Sequence, residues 1–340
     1  MMYKTLIAII LALTTVSALN YPTCLDPRGK SVDWFIVLKH PVGSEYSYCD
    51  SNSCTQLKSQ GFELNDIDNS PLMRTLAQTE RIGKQSPYGS VFWNDQPPQS
   101  DASLSYAHAK GFMVFNQEKG YLMVHSTPRF PVIEEDIVNL EIPSSQTKFG
   151  QHYFCISTTT EDLNKIAEGY NIDYPKVYSS YIPTEFEGID NIINMVNQKR
   201  NKDDQQLAVN FKSLKGTKFI KFSKSGKYLV PFYDTILAES IKAGVIVQSW
   251  GSPQEEPICE SQYNVSSNML ITLDGITYKQ TQDHSKYCIS TDDSKPYVCL
   301  GDINRQTSQW KRGGGTVCLQ NKQVHTAFKK IMAQQQPCSV

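Results

Sequence analysis

One three-residue phrase occurs twice, about half the chain apart: His108-Ala109-Lys110 and His284-Ser285-Lys286, the second preceded by Asp283, each followed by strand-forming residues. On an extended segment, residues i and i+2 share a face, so each copy presents an imidazole and an ammonium together. A fold with two similar halves brings both pairs to one central site. Two histidines and two lysines at one point suit phosphate chemistry. The lysines neutralise oxyanions, one imidazole attacks, and the other protonates the leaving oxygen.

The rest of the chain allows such a fold. Its 340 residues suffice for one large domain or two ordinary ones, and 39% hydrophobic with 20% charged residues argue against wholesale disorder. Residues 1–18 carry Lys4, an apolar run from Leu6 to Leu13 and the small-residue ending Val16-Ser17-Ala18, the layout of a secretory signal. No later stretch is apolar enough to span a bilayer, so no membrane partner is expected. Nine cysteines, all after the leader, lack paired C-x-x-C zinc spacing and suit disulfides in an oxidising compartment. The odd count leaves one over, and Cys288, two residues past Lys286, is the candidate. Asn264-Val265-Ser266 is a glycosylation sequon.

The formal net charge of −1 is unusual for a protein that grips a polyanion. Positive charge is then local or supplied by pH. Six histidines and 34 carboxylates would turn the chain cationic in an acidic compartment.

Period-two patterning predicts a strand at residues 32–39, and short strand-forming runs predict others at 91–93, 111–115, 121–125, 152–156, 218–222, 245–250 and 269–273. Ser70-Pro71 reads as an N-cap and first helical position, and further helices are expected near 161–168 and 232–241. The polar stretch 197–206 suggests a connection, dividing the chain into halves 19–196 and 197–340. Arg312-Gly313-Gly314-Gly315-Thr316 reads as a flexible loop and, lacking Gly-Lys-Ser/Thr, not as a nucleotide P-loop. Elements alternating on both sides of residue 197 favour an α/β layered fold.

Each copy has a polar companion further along: His125 after the first, Asn304 after the second, both suited to a phosphate oxygen or to orienting an imidazole. His40 and His325 stand alone and read as structural or surface residues, and His152, beside Tyr153 and Phe154, as structural. No histidine pair has H-E-x-x-H spacing and no acidic cluster suggests magnesium, so the chemistry is expected to need no metal and no cofactor.

Asp33-Trp34-Phe35, His108-Ala109-Lys110-Gly111, Val124-His125-Ser126 with Pro128, Phe130 and Pro131, Gln151 to Cys155, Asp283-His284-Ser285-Lys286, Gly301 to Arg305 and Arg312 to Thr316 occur in order. Together they resemble the deoxyribonuclease II family, acid endonucleases related to the phospholipase D superfamily. The resemblance implies a pseudo-dimeric α/β/α sandwich with both motifs at its centre. It also implies metal-independent DNA cleavage to 3′-phosphate and 5′-hydroxyl ends, with little sequence preference, in a lysosomal or secreted protein. By that resemblance one histidine, His108 in the first assignment, forms a phosphohistidine while His284 is the acid. Lys110 and Lys286 stabilise the transition state, and His125 and Asn304 support the phosphate. The superfamily's usual Asp five residues past each lysine is here Phe115 and Thr291, so the group orienting each imidazole is not identified. The resemblance implies disulfides Cys24–Cys155, Cys259–Cys338 and Cys299–Cys318, with Cys49–Cys54 as a local addition. A homodimer is left open. The competing reading is a catalytically inactive, secreted DNA-binding protein or toxin, against which both complete motifs argue.

Overall fold

Each motif runs directly into a strand, and the same succession of elements follows both copies. Lys110–Phe115 pairs antiparallel with Lys119–His125, which pairs with Gln151–Thr159, and the chain then enters the helix Thr160–Asp173. Tyr287–Ser290 likewise pairs with Tyr297–Gly301 and that with Gly314–Gln320, before the helix Lys322–Ile331. The architecture comes from a computed structural model that describes residues 21–338. The expected leader at 1–18 lies outside the described residues.

These cores extend into two sheets, of eight strands between residues 34 and 181 and of nine strands between residues 206 and 335. Pairing is antiparallel except where residues 245–247 run parallel to 265–267. Between the sheets lie the two helices, each touching strands of both halves: Thr160–Asp173 contacts Gln206–Lys212 and Lys218–Lys224, and Lys322–Ile331 contacts Ser53–Glu63. The fold is therefore the expected layered α/β architecture in two sheet-rich halves.

Alternation of side chains explains the layers. Trp34, Ile36 and Leu38 point into the core between the sheets, whereas Phe35 and Val37 point to the outer face. Strands with both faces buried read as continuous apolar runs, as Gly111 to Phe115 does. The outer face of the first sheet is covered by Pro71–Ala77, whose cap is as expected: Ser70 Oγ accepts the Met73 N–H at 3.2 Å. Phe232 to Ile241 covers the second, beginning as a π-type turn before the helical Ala238–Ile241.

The glycine-rich stretch differs from the expectation of a flexible loop: Gly314–Gln320 is a buried central strand. The glycines serve close approach, since a Cβ on Gly315 would lie 1.8 Å from the Phe222 carbonyl oxygen of the neighbouring strand. Conversely the strand expected through Trp250 ends at Gln248, which releases Trp250 to the surface.

Buried polar ties join the halves. Asp33 accepts from Ser213 Oγ at 2.5 Å, the Lys215 N–H at 2.8 Å and Thr217 Oγ1 at 3.1 Å. Lys221 Nζ meets Asp173 at 2.6 Å, both buried, and lies over the Tyr170 ring. Breaking such a pair by removing one partner costs about 3–5 kcal/mol. Disulfides join Cys24 to Cys155, Cys49 to Cys54, Cys259 to Cys338 and Cys299 to Cys318, leaving Cys288 a free, buried thiol. Among the described residues no helix is long and apolar enough to cross a membrane.

Candidate active site

His108 sits two residues and His284 three residues ahead of the strand its motif feeds. Each is held by the opposite half. The His108 N–H donates to the Gly313 carbonyl at 2.9 Å, and the His284 N–H to the Gly150 carbonyl at 2.8 Å. The rings repeat the exchange: His108 Nδ1 is 2.9 Å from Gln309 Oε1, and His284 Nδ1 is 3.5 Å from Gln151 Nε2. His and Lys of each copy line the same hollow, whereas Ala109 and Ser285 between them do not.

Both pairs line one cleft of about 480 Å³, with Asn304, Ser126 and Arg312. A larger hollow of about 880 Å³ around Lys212 and Lys218 contains neither motif. The lysines are tethered rather than free. Lys110 is ion-paired with Asp95, whose other oxygen meets Arg312 Nη2 at 3.1 Å. Lys286 Nζ donates to the His284 carbonyl at 2.7 Å. Two lysines and an arginine thus face the cleft beside the carboxylate of Asp95, a concentration of basic groups within a chain of net charge −1.

Phe149 stacks on His284 with ring centroids 4.0 Å apart, and Trp250 meets the same ring edge-on at 5.4 Å. Both aromatics line the cleft, and 41% of Trp250 is exposed.

Burial and neighbouring cations shift the groups in consistent directions. Burial, then Lys286, Lys110 and Lys39, bring His284 down to about 3. Burial, only partly opposed by Asp95, holds His108 well below the ordinary imidazole range. Burial and Lys110 lower Lys286 to about 7. Asp302, behind the site, is raised by burial to about 7. Asp95 resists its burial because Lys110, His108 and Arg312 hold it well below the usual carboxylate range.

A profile of the family described as Deoxyribonuclease II matches residues 23–338. The chain belongs to the deoxyribonuclease II family. It is 33% identical to Plancitoxin-1 of Acanthaster planci, with 97% of each chain covered. It is 30% identical to Deoxyribonuclease-2-beta of Rattus norvegicus, with 96% of each covered, and 31% identical to Cell death-related nuclease 6 of Caenorhabditis elegans, covering 98% of this chain and 93% of that one.

Of the residues a deoxyribonuclease II resemblance singles out, the cleft unites His108, Lys110, His284, Lys286 and Asn304. Asn304 Oδ1 is buried without a hydrogen-bond partner among the described residues. His125 does not line the cleft. It lies behind, 1% exposed, stacked on Tyr153 at 5.9 Å, its Nδ1 accepting the Thr127 N–H at 3.2 Å. Its neighbour Ser126 takes the place at the wall. His152, read as structural, is buried with Nδ1 accepting the Lys286 N–H at 3.2 Å, so it braces the second motif. His325 is structural, its Nε2 on the Ser290 carbonyl at 2.8 Å. Asp95, Gln309 and Trp250 carried no signal in the sequence because none has a motif neighbour, and Gln309 reaches its histidine from the other half. Asn264 is exposed, and Asp302 sits one residue before Ile303 on the return from the second hairpin.

Proposed function

We propose that this member of the deoxyribonuclease II family is an acid endonuclease that hydrolyses DNA, without a divalent metal, through a phosphohistidine to 3′-phosphate and 5′-hydroxyl ends. The convergence of both His-x-Lys pairs on one cationic cleft carries this reading. The His108 ring, its Nδ1 engaged by Gln309 Oε1, has Nε2 free to attack phosphorus. As the N–P bond forms, the electron pair of the breaking P–O5′ bond goes to oxygen, which takes a proton from His284. Water, deprotonated by His284, then releases the 3′-phosphate. Lys110, Lys286 and Asn304 stabilise the equatorial oxygens, and His125 supports that wall from behind through Ser126.

Acid conditions favour both steps of recognition and catalysis. As pH falls through about 7, Lys286 gains its charge and Asp302 loses its own, so the cleft becomes more attractive to a polyanion. The aromatic faces of Phe149 and Trp250 accept any base, consistent with little sequence preference. Residues 1–18 as a leader, Asn264 as a glycan site and the disulfides fit a lysosomal or secreted protein.

Plasmid nicking at about pH 5 in EDTA tests the reading. The unmodified chain should cut, and His108→Ala and His284→Ala should each lose roughly 10⁴-fold or more. Cleavage abolished by EDTA would sink the metal-free mechanism, and full activity in both variants would place the chemistry elsewhere.

A further inference from the structure

The two glutamines at the imidazoles present opposite chemical ends. Ser126 Oγ accepts the His152 N–H at 3.0 Å, so its own proton goes to Gln151 Oε1 at 2.5 Å. That bond fixes the Gln151 amide with Nε2 turned toward His284 Nδ1 at 3.5 Å and Gln146 Oε1 at 3.5 Å. An amide nitrogen only donates, so Nδ1 of His284 keeps its lone pair and the ring proton sits on Nε2. On the other imidazole an amide oxygen faces Nδ1, which therefore carries the proton and leaves Nε2 bare.

We propose that Gln151 and Gln309 are positioning residues that lock the two imidazoles in opposite tautomers, so that His108 is ready to attack while His284 must first be protonated against a donor amide. This deepens the nuclease reading above and rests on it. To serve as acid, His284 needs a proton on both nitrogens, and Gln151 offers nothing to accept the one on Nδ1. The charges around the ring oppose it too. Lys286 acts from its own segment, Lys110 from the first motif and Lys39 from the strand Trp34–Lys39. Phe149 and Trp250 contribute apolar faces. Asp283, next in sequence, is turned to the N–H and hydroxyl of Ser285. Only low pH or the arriving phosphate supplies what His284 lacks, so a neutral orienting residue makes acidity a condition of catalysis. A carboxylate in its place would accept Nδ1–H and remove that condition.

The test is single-turnover pH–rate profiles of Gln151→Glu and Gln309→Glu beside the unmodified chain, with histidine ¹⁵N spectra of the latter. In Gln151→Glu the high-pH limb should move up by about one unit or more while the low-pH limb stays. In Gln309→Glu, a more basic His108 is protonated and withheld from attack, so the low-pH limb moves up and the high-pH limb stays. Exchanged effects, or limbs that do not move, overturn the proposal. Near pH ~7 the spectra should show His284 protonated on Nε2 and His108 on Nδ1. A proton on His284 Nδ1 overturns the proposal whether or not the protein cuts DNA. The expected spectra together with no cleavage at any pH would reject the nuclease reading alone.

Discussion

The backbone N–H of His284 donates to the carbonyl of Gly150, a residue of the other half, at 2.8 Å. The contact needs a glycine: a Cβ on residue 150 would stand 2.5 Å from Asp283 Oδ1 and push the segment that carries His284. Gly150→Ala should therefore lower kcat by about 10²-fold, the cost of misplacing a reacting group by about 1 Å, while the melting temperature changes little. A kcat equal to that of the unmodified chain would show that the cross-half contact does not set the histidine's position.

Asp95 meets Lys110 and Arg312 in a setting where all three side chains are nearly inaccessible. Removing its charge leaves two buried cations facing each other without compensation. Asp95→Asn should cost about 3–5 kcal/mol of stability, measured by denaturant unfolding, and should reduce turnover further by letting Lys110 wander. A loss below about 1 kcal/mol, the scale of an exposed pair, would contradict the arrangement.

How much of this was legible beforehand follows from the range of the interactions. The motif strands, the Ser70 cap and the identity of five cleft residues depend on neighbours in sequence, so local pattern reveals them. Gln309 on His108, Gly150 on His284 and Asp95 on Arg312 are contacts across the halves, and no spacing marks them. His125 was legible as a histidine at a strand end, but burial behind Ser126 is decided by packing against Tyr153 and Phe130. The Gly313-Gly314-Gly315 run misled for a related reason. Flexibility and close approach both select glycine, and only the facing Asp173 and Phe222 carbonyls, 2.0 and 1.8 Å from a Cβ on Gly313 and Gly315, distinguish them.

Asp302 yields a pH prediction. Burial, only partly opposed by Lys221 and Lys110 and reinforced by Asp173, raises it from the ordinary aspartate value of 3.8 to about 7 in the fold. A carboxyl with a raised folded value binds its proton more tightly folded than unfolded, so its contribution to stability is present at low pH and is lost as pH rises from 3.8 to about 7. Asparagine mimics the protonated form and escapes that loss. Asp302→Asn should therefore melt higher than the unmodified chain at about pH 8, by at least ~2 °C, and no higher at about pH 4. It should also bind a duplex oligonucleotide more tightly at the higher pH, measured in a His108→Ala background to prevent cleavage. A stability difference that does not change with pH would mean that Asp302 titrates as an ordinary carboxylate.

Trp250 leaves its strand two residues after Gln248 and stands against His284 with a face still open to the cleft. If His284 protonates the 5′-oxygen, that face lies beside the nucleotide leaving on the 3′ side of the break. Stacking of a base on an aromatic ring contributes about 1–3 kcal/mol, independent of base identity. Trp250→Ala should raise KM for DNA by roughly 5–100-fold, with a smaller fall in kcat, and Trp250→Phe should recover most of it. The increase should be similar for substrates of different sequence, because a ring face does not read base edges. An unchanged KM would remove Trp250 from the path of the substrate, and an effect confined to one base would replace stacking by direct recognition.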